Sequence, residues 1–255
     1  MVGRDKVYCD ELQLITGIDI PIEELGITIR QPRLKEIAMI GEQNYFIALS
    51  IFQLTKEQLE IKDTDVTNWM LFEHSLNQPL EGIKNTRVLL TNFLKLFNDS
   101  LVIGPLSLIA HSGENIVNIM PEQFDLFQQI VGEVGGASIL KPKEEEFNPA
   151  DKRAAEIAEK MKKARKKLAA QQPQAKTEGF IARYVRALAI VTANSLEDIV
   201  NMTILQLNDL LQTYMNWESY DITIRSMLAG AKHEGKLQHW MVQKINEQKS
   251  SLATI

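Results

Sequence analysis

The chain has 255 residues, of which 45% are hydrophobic and 24% charged, and its formal net charge is −5 at pH 7. This balance is that of an ordinary globular protein and excludes a chain that is disordered throughout. A protein built as a whole to coat nucleic acid is normally basic, so the acidic balance argues against that function for the whole chain.

Composition divides the sequence into three parts. Residues 1–140 are rich in large apolar side chains, residues 141–178 are charged and low in complexity, and residues 179–255 are apolar again. We therefore predict a mainly α protein in three segments. These are a helical N-terminal domain with a small β-hairpin (1–140), a charged helical linker (141–178) and a small all-α C-terminal domain (179–255).

Apolar residues of the first part recur at strand spacing and then at helical spacing. The loose alternation from Ile18 to Ile29 predicts short strands or an extended lead-in. From Leu34 to Phe52 the apolar residues return every three or four positions, and Gly41 predicts a break between two helices. A capping-box pattern at Thr55 predicts one more short helix.

After residue 99 the sequence changes from helical spacing of apolar residues to β-prone segments. Residues 101–110 and 115–120 are rich in β-prone side chains, and the turn-forming residues 111–114 between them predict a β-hairpin. Pro121 suits the first turn of a helix. We expect that helix to end at the glycines 132, 135 and 136.

The charged segment contains a strong helix signal. Asn148 and Pro149 are good N-cap and first-turn residues, and residues 150–170 are almost all good helix formers. Its basic cluster predicts a phosphate-binding patch, an acidic protein partner or a solvated linker helix with internal Glu–Lys pairs. We favour the solvated helix. The candidate binding residues in this cluster are Lys162, Lys163, Lys166 and Lys167.

The last part repeats the helical pattern. Helical spacing places Phe180, Tyr184, Leu188 and Val191 on one face. Capping patterns at Ser195 and Thr203 predict the start of two further helices. A stripe from Ile204 to Met215 is predicted to continue through residues 222–231. Aromatic residues accumulate here and favour either an interface hot spot or ordinary core packing. The candidate partner-binding aromatics are Tyr214, Trp217, Tyr220 and Trp240.

Catalytic signatures are missing from the sequence. There is no P-loop, no dinucleotide fingerprint and no nucleophile elbow, and the four histidines lack metal-ligand spacing. The lone Cys9 cannot form an internal disulfide, and no apolar run approaches the ~20 residues needed to cross a bilayer. The start of the chain lacks an apolar signal core. We therefore expect a cytoplasmic protein that is not an enzyme and uses no cofactor or metal.

Two stretches carry a resemblance to a known family. They are Pro32–Tyr45, and Met227–Lys232 followed by Leu237–Met241. Together they resemble tail assembly chaperones of long-tailed, siphovirus-type bacteriophages that infect Gram-positive hosts. The order of elements, with an early helical block, a hairpin, a charged linker and a compact helical end, is also similar to that family.

The resemblance implies a function in tail morphogenesis. Such chaperones bind the tape measure protein, keep it soluble in the host cytoplasm, and leave before the tail is finished. In the lambda-like arrangement, a longer product of programmed frameshifting adds a second domain that recruits the tail tube protein. The present chain is similar to that longer form, and the family has no catalytic residues to carry over. A homo-oligomer is compatible with this function.

Other functions stay open at this point. A virion structural or connector protein would remain in the finished particle, whereas a chaperone would be absent from it. A nucleic-acid-binding regulator would use the basic linker helix and bind in a salt-sensitive manner. An enzyme is the weakest alternative, because no set of residues can be assigned catalytic roles.

Overall fold

A computed structural model describes residues 9–59, 61, 63, 65–78, 83, 85–113, 115–140, 179–230, 237 and 239–241. In this part of the chain, ten α-helices and two small antiparallel sheets confirm the predicted mainly α fold class. The predicted linker helix and its lysines lie outside the described residues. None of the described helices is both long and apolar enough to cross a membrane.

The elements follow the chain in two groups. The first group is α1 (Glu11–Thr16), β1 (Ile20–Ile22), β2 (Ile27–Ile29), α2 (Leu34–Ile40), α3 (Glu42–Phe52), α4 (Asn68–Leu76), α5 (Thr86–Lys95), β3 (Val102–Ile103), β4 (Leu108–Ser112), β5 (Asn115–Ile119), α6 (Pro121–Val134) and α7 (Ala137–Leu140). The second group is α8 (Phe180–Val191), α9 (Leu196–Val200) and α10 (Ile204–Leu228).

The strands form two separate sheets. β1 and β2 make a two-stranded hairpin, and β3, β4 and β5 form a three-stranded antiparallel sheet in that order. The predicted hairpin is confirmed by β4 and β5, with Ser112 paired to Asn115 across the turn. The extra strand β3 arises because the chain turns at Gly104, whose N–H donates to the Ser107 carbonyl at 2.9 Å. A Cβ at Gly104 would lie 2.8 Å from that carbonyl oxygen, so a larger residue would disturb the turn.

Phe52 lies at the centre of the N-terminal core. Its ring contacts Phe72 of α4, Phe93 of α5, and Phe124 and Phe127 of α6, with centroid distances between 5.5 and 6.0 Å. Tilted and edge-on aromatic pairs of this kind add to the stabilisation that burial alone gives. Four helices therefore meet at one buried side chain.

Two local predictions were wrong. Thr55 and Gln58 do exchange capping-box hydrogen bonds, but the chain there forms only a turn. In this turn the backbone N–H of Lys56 donates to the side-chain oxygen of Asn68. Gly132 lies inside α6 and does not end it, and a Cβ at this position would clash with the side chain of Gln53.

The helices of the second group complete the same core as the first. Leu34 donates its N–H to the carbonyl of Met202 at 2.9 Å, and Arg33 and Thr203 form an isolated antiparallel bridge. The predicted division into domains 1–140 and 179–255 remains a prediction. Six second-group residues belong to the common core: Ile181, Leu188, Ile199, Ile204, Leu207 and Leu211.

Candidate partner-binding surface

The first turn of α10 is fixed by side chains on both sides. Thr203 accepts a hydrogen bond from the N–H of Gln206, and the Gln206 side chain accepts one from the N–H of Thr203 at 2.8 Å. The same glutamine donates its amide to the carbonyl of Ile15 at 2.7 Å. The predicted capping box at Thr203 is confirmed, and it ties the start of α10 to the end of α1.

Only the start of α10 enters the core. Ile204, Leu207 and Leu211 are buried at helical spacing, whereas no side chain from residue 212 to residue 228 is buried. At ~1.5 Å per residue, the unburied part is about 25 Å long. About two thirds of this 25-residue helix therefore lies outside the core of the described residues.

The core-facing side of α10 carries more polar residues where the helix leaves the core. Continuing the spacing of Leu207 and Leu211 leads to Tyr214, Glu218, Asp221 and Arg225. Arg225 and Asp221 form an ion pair at 2.9 Å, and the Tyr214 hydroxyl donates to Glu218 at 3.4 Å. Met215 and Ile222, which continue the predicted apolar stripe on this side, are both exposed.

A different apolar stripe begins at Trp217. Trp217, Tyr220, Ile224 and Met227 are separated by three, four and three positions, which is the spacing of a heptad seam. Since helical residues advance by about 100° each, these four side chains point away from the side that enters the core. Trp217 is 45% exposed and Met227 43%. We call these four residues the outer seam of α10.

The four predicted aromatics all lie at this end of the molecule. The ring of Tyr214 is 5.8 Å from that of Trp217, and the ring of Tyr220 is 5.2 Å from that of His239. The ring of Trp240 lies 5.6 Å from that of His239. None of the four aromatics belongs to the buried core formed by the described residues. Their role in binding a partner stays a prediction.

The outer seam is apolar in composition. On the core-facing side of the same helix, partial desolvation, with Glu218 nearby, raises the pKa of the Tyr214 hydroxyl, which stays protonated and donates to that carboxylate. An apolar seam of this kind suits the apolar stripe of an amphipathic helix. Within the described residues, no group of three or more His, Cys, Asp or Glu side chains is placed to hold a metal ion.

Sequence reasoning found the aromatics but missed the seam. The apolar pattern was followed from Ile204, and that register leads away from Ile224 and Met227. The three–four–three spacing that starts at Trp217 was the signal that would have identified it. His239, which brings Tyr220 and Trp240 together, carries no sequence pattern that marks it as part of this surface.

One comparison with known proteins gives a match. Residues 174–245 match a family model described as the YomV second domain, which covers less than a third of the chain and includes all of α8, α9 and α10. YomV is a Bacillus phage gene, so the match suggests a phage-derived protein family. No curated protein and no solved structure matches the chain.

Proposed function

We propose that the protein is a bacteriophage tail assembly chaperone that binds and solubilises the tape measure protein and recruits tail tube subunits. The outer seam of α10 is the observation that carries this proposal, because it is apolar, unburied and directed away from the core. The match of residues 174–245 to a family model that suggests a phage-derived protein family supports it. The resemblance at Pro32–Tyr45, Met227–Lys232 and Leu237–Met241 supports it as well.

The chemistry of the proposed partner fits this seam. A tape measure protein is long and helical, and it exposes apolar stripes until tail tube subunits enclose it. A seam with heptad spacing accepts such a stripe side by side. Covering apolar surface contributes on the order of 25 cal/mol per Å², and a flexible methionine such as Met227 adapts to many partner sequences.

Co-expression with the tape measure protein of the same gene cluster tests the proposal. The wild-type chain should keep the tape measure soluble and co-purify with it. The double variant Trp217→Ser/Met227→Ser should fold but lose most of this solubilisation. Met70→Ser changes an exposed methionine of α4 and is the matched control. A tape measure that stays insoluble with the wild-type chain would contradict the proposal.

A second step separates the chaperone from the alternative of a virion structural or connector protein. The soluble complex should capture added tail tube protein, because recruitment of the tube is the second part of the proposed function. Mass spectrometry of purified virions should find no copies of this chain. Its presence there in fixed stoichiometry would favour the structural function instead.

A further inference from the structure

The three-stranded sheet lies in an almost uncharged stretch of the chain. Between residues 100 and 120 the only charged residue is Glu114, although 24% of the whole chain is charged. Residues that pair directly across an antiparallel sheet share a face, and Val102 pairs with Ile109 while His111 pairs with Ile116. Ile116 is 64% exposed. The sheet therefore presents a neutral, partly apolar face to solvent.

The two edges of this sheet differ in how they are protected. β3 is only two residues long, and Pro105 follows it closely, so this edge offers little backbone for pairing. β5 is five residues long and, among the described residues, pairs with β4 alone. It contains no proline and no charged residue, which are the residues that normally block an exposed edge.

We propose that β5 pairs antiparallel with β5 of a second copy of this chain, which joins two three-stranded sheets into one of six strands. The two-fold axis passes through Val117, because this register alone pairs all five residues. Asn115 then lies opposite Ile119, and Ile116 lies opposite Asn118. A closed two-fold contact leaves both open β5 edges paired and stops at the dimer.

Charge argues for a second copy over a charged partner. Each copy carries a formal net charge of −5, so two copies repel each other except where their surfaces are neutral. The β5 edge meets its own copy without placing like charges opposite each other, which would destabilise the pair. A basic or acidic partner would gain no electrostatic steering from this edge.

The expected dimer is weak. Five paired residues span roughly 17 Å, so the interface falls below about 1,200 Å², in the range of transient complexes. Dimerisation should therefore depend on concentration. For the proposed function, a dimer would carry two outer seams of α10. Two seams would bind a long repetitive partner more strongly than one, by multivalency. The inference itself rests on β5 and does not require that function.

Sedimentation equilibrium over a concentration series tests the pairing. The apparent mass of the wild-type chain should rise with concentration from the monomer value of 28.9 kDa toward twice that value. Ile116→Lys places two like charges in the interface and should stay monomeric, with unchanged circular dichroism because Ile116 is exposed. Met39→Lys makes the same charge change on an exposed residue of α2 and should dimerise like the wild type.

Cross-linking tests the register. In the double variant Ile116→Cys/Asn118→Cys, each new thiol lies opposite one of the partner copy, at the Cβ separation of a directly opposed pair, and oxidation should give a covalent dimer. The buried native Cys9 gives none in the wild type. A wild-type chain that is monomeric at every concentration overturns the proposal. An extended segment of another protein would then be the candidate partner for the β5 edge. Equal association of Ile116→Lys overturns it as well.

Discussion

The carboxylate of Glu42 accepts a hydrogen bond from the N–H of Ile181 at 2.8 Å, although the two residues are 139 positions apart. Ile181 lies in the first turn of α8, whose N–H groups have no partners within the helix. The N-cap residue Gly179 has no side chain to supply one. Glu42 therefore caps α8 from the N-terminal part of the chain, and its negative charge suits a helix N-terminus.

Replacing Glu42 should weaken this attachment. Glu42→Ala removes the cap and should lower the free energy of unfolding by ~1–2 kcal/mol, the range of helix-cap deletions. Glu42→Gln keeps an acceptor oxygen without the charge and should fall between alanine and wild type. Urea denaturation measures both, with Gln43→Ala as a control at the exposed neighbouring position. Equal midpoints for wild type and Glu42→Ala would mean that the cap contributes nothing.

Gly179→Ala should act through the same cap. A Cβ at Gly179 would clash with a carboxylate oxygen of Glu42. Since that oxygen is the end of a flexible side chain, Glu42 should swing away and leave α8 uncapped. The free energy lost should then match that of Glu42→Ala, and the double variant should lose little more. Additive losses in a double-mutant cycle of unfolding experiments would show that the two residues act independently.

The two halves of α10 should respond differently to truncation of a side chain. Leu207 is fully buried, so Leu207→Ala should cost ~2–5 kcal/mol of unfolding free energy. Met215→Ala, on the exposed half of the same helix, should cost less than ~1 kcal/mol. Thermal or urea unfolding compares the two variants. A large loss at Met215 would indicate that the distal half is part of the stability core.

Cys9 should react only when the chain unfolds. Burial, and then the charge and hydrogen bonding of Glu133, raise the pKa of its thiol from the ordinary 9.0 to about 12. A thiol-specific reagent at mildly alkaline pH should therefore label the protein in urea and not in buffer. Glu133→Gln should leave the folded protein slow to label, because burial is the larger cause.

The same shift fixes the sign of a pH effect on stability. Folding keeps the Cys9 thiol neutral, so its contribution is fully present below pH 9.0 and is lost as the pH rises toward about 12. Cys9→Ser should flatten this part of the stability profile. An unchanged alkaline profile in that variant would assign the effect to other groups.

Several signals that act over a few residues were read correctly from the sequence. Gly41 separates α2 from α3, Pro121 opens α6, and the capping boxes at Ser195 and Thr203 start α9 and α10. Each depends on hydrogen bonds or backbone angles within one turn, so neighbouring residues contain the necessary information.

Contacts between distant parts of the chain were not predictable in this way. Nothing near Glu42 indicates that it caps a helix 139 positions away, and nothing near Gly179 indicates what fills its missing cap. The outer seam of α10 was missed for a related reason. Periodicity shows that a face is apolar, but burial decides which of two apolar registers enters the core, and burial depends on the rest of the fold.

Site-specific photo-cross-linking most directly tests whether the outer seam of α10 binds the tape measure protein. A photoreactive amino acid is placed at Trp217 or Met227 in cells that co-express the tape measure, with Met70 as the exposed control position. Our account predicts cross-links to the tape measure from both seam positions and none from position 70. Cross-linking from position 70 alone, or from no position while the tape measure stays soluble, would contradict the assignment of this surface.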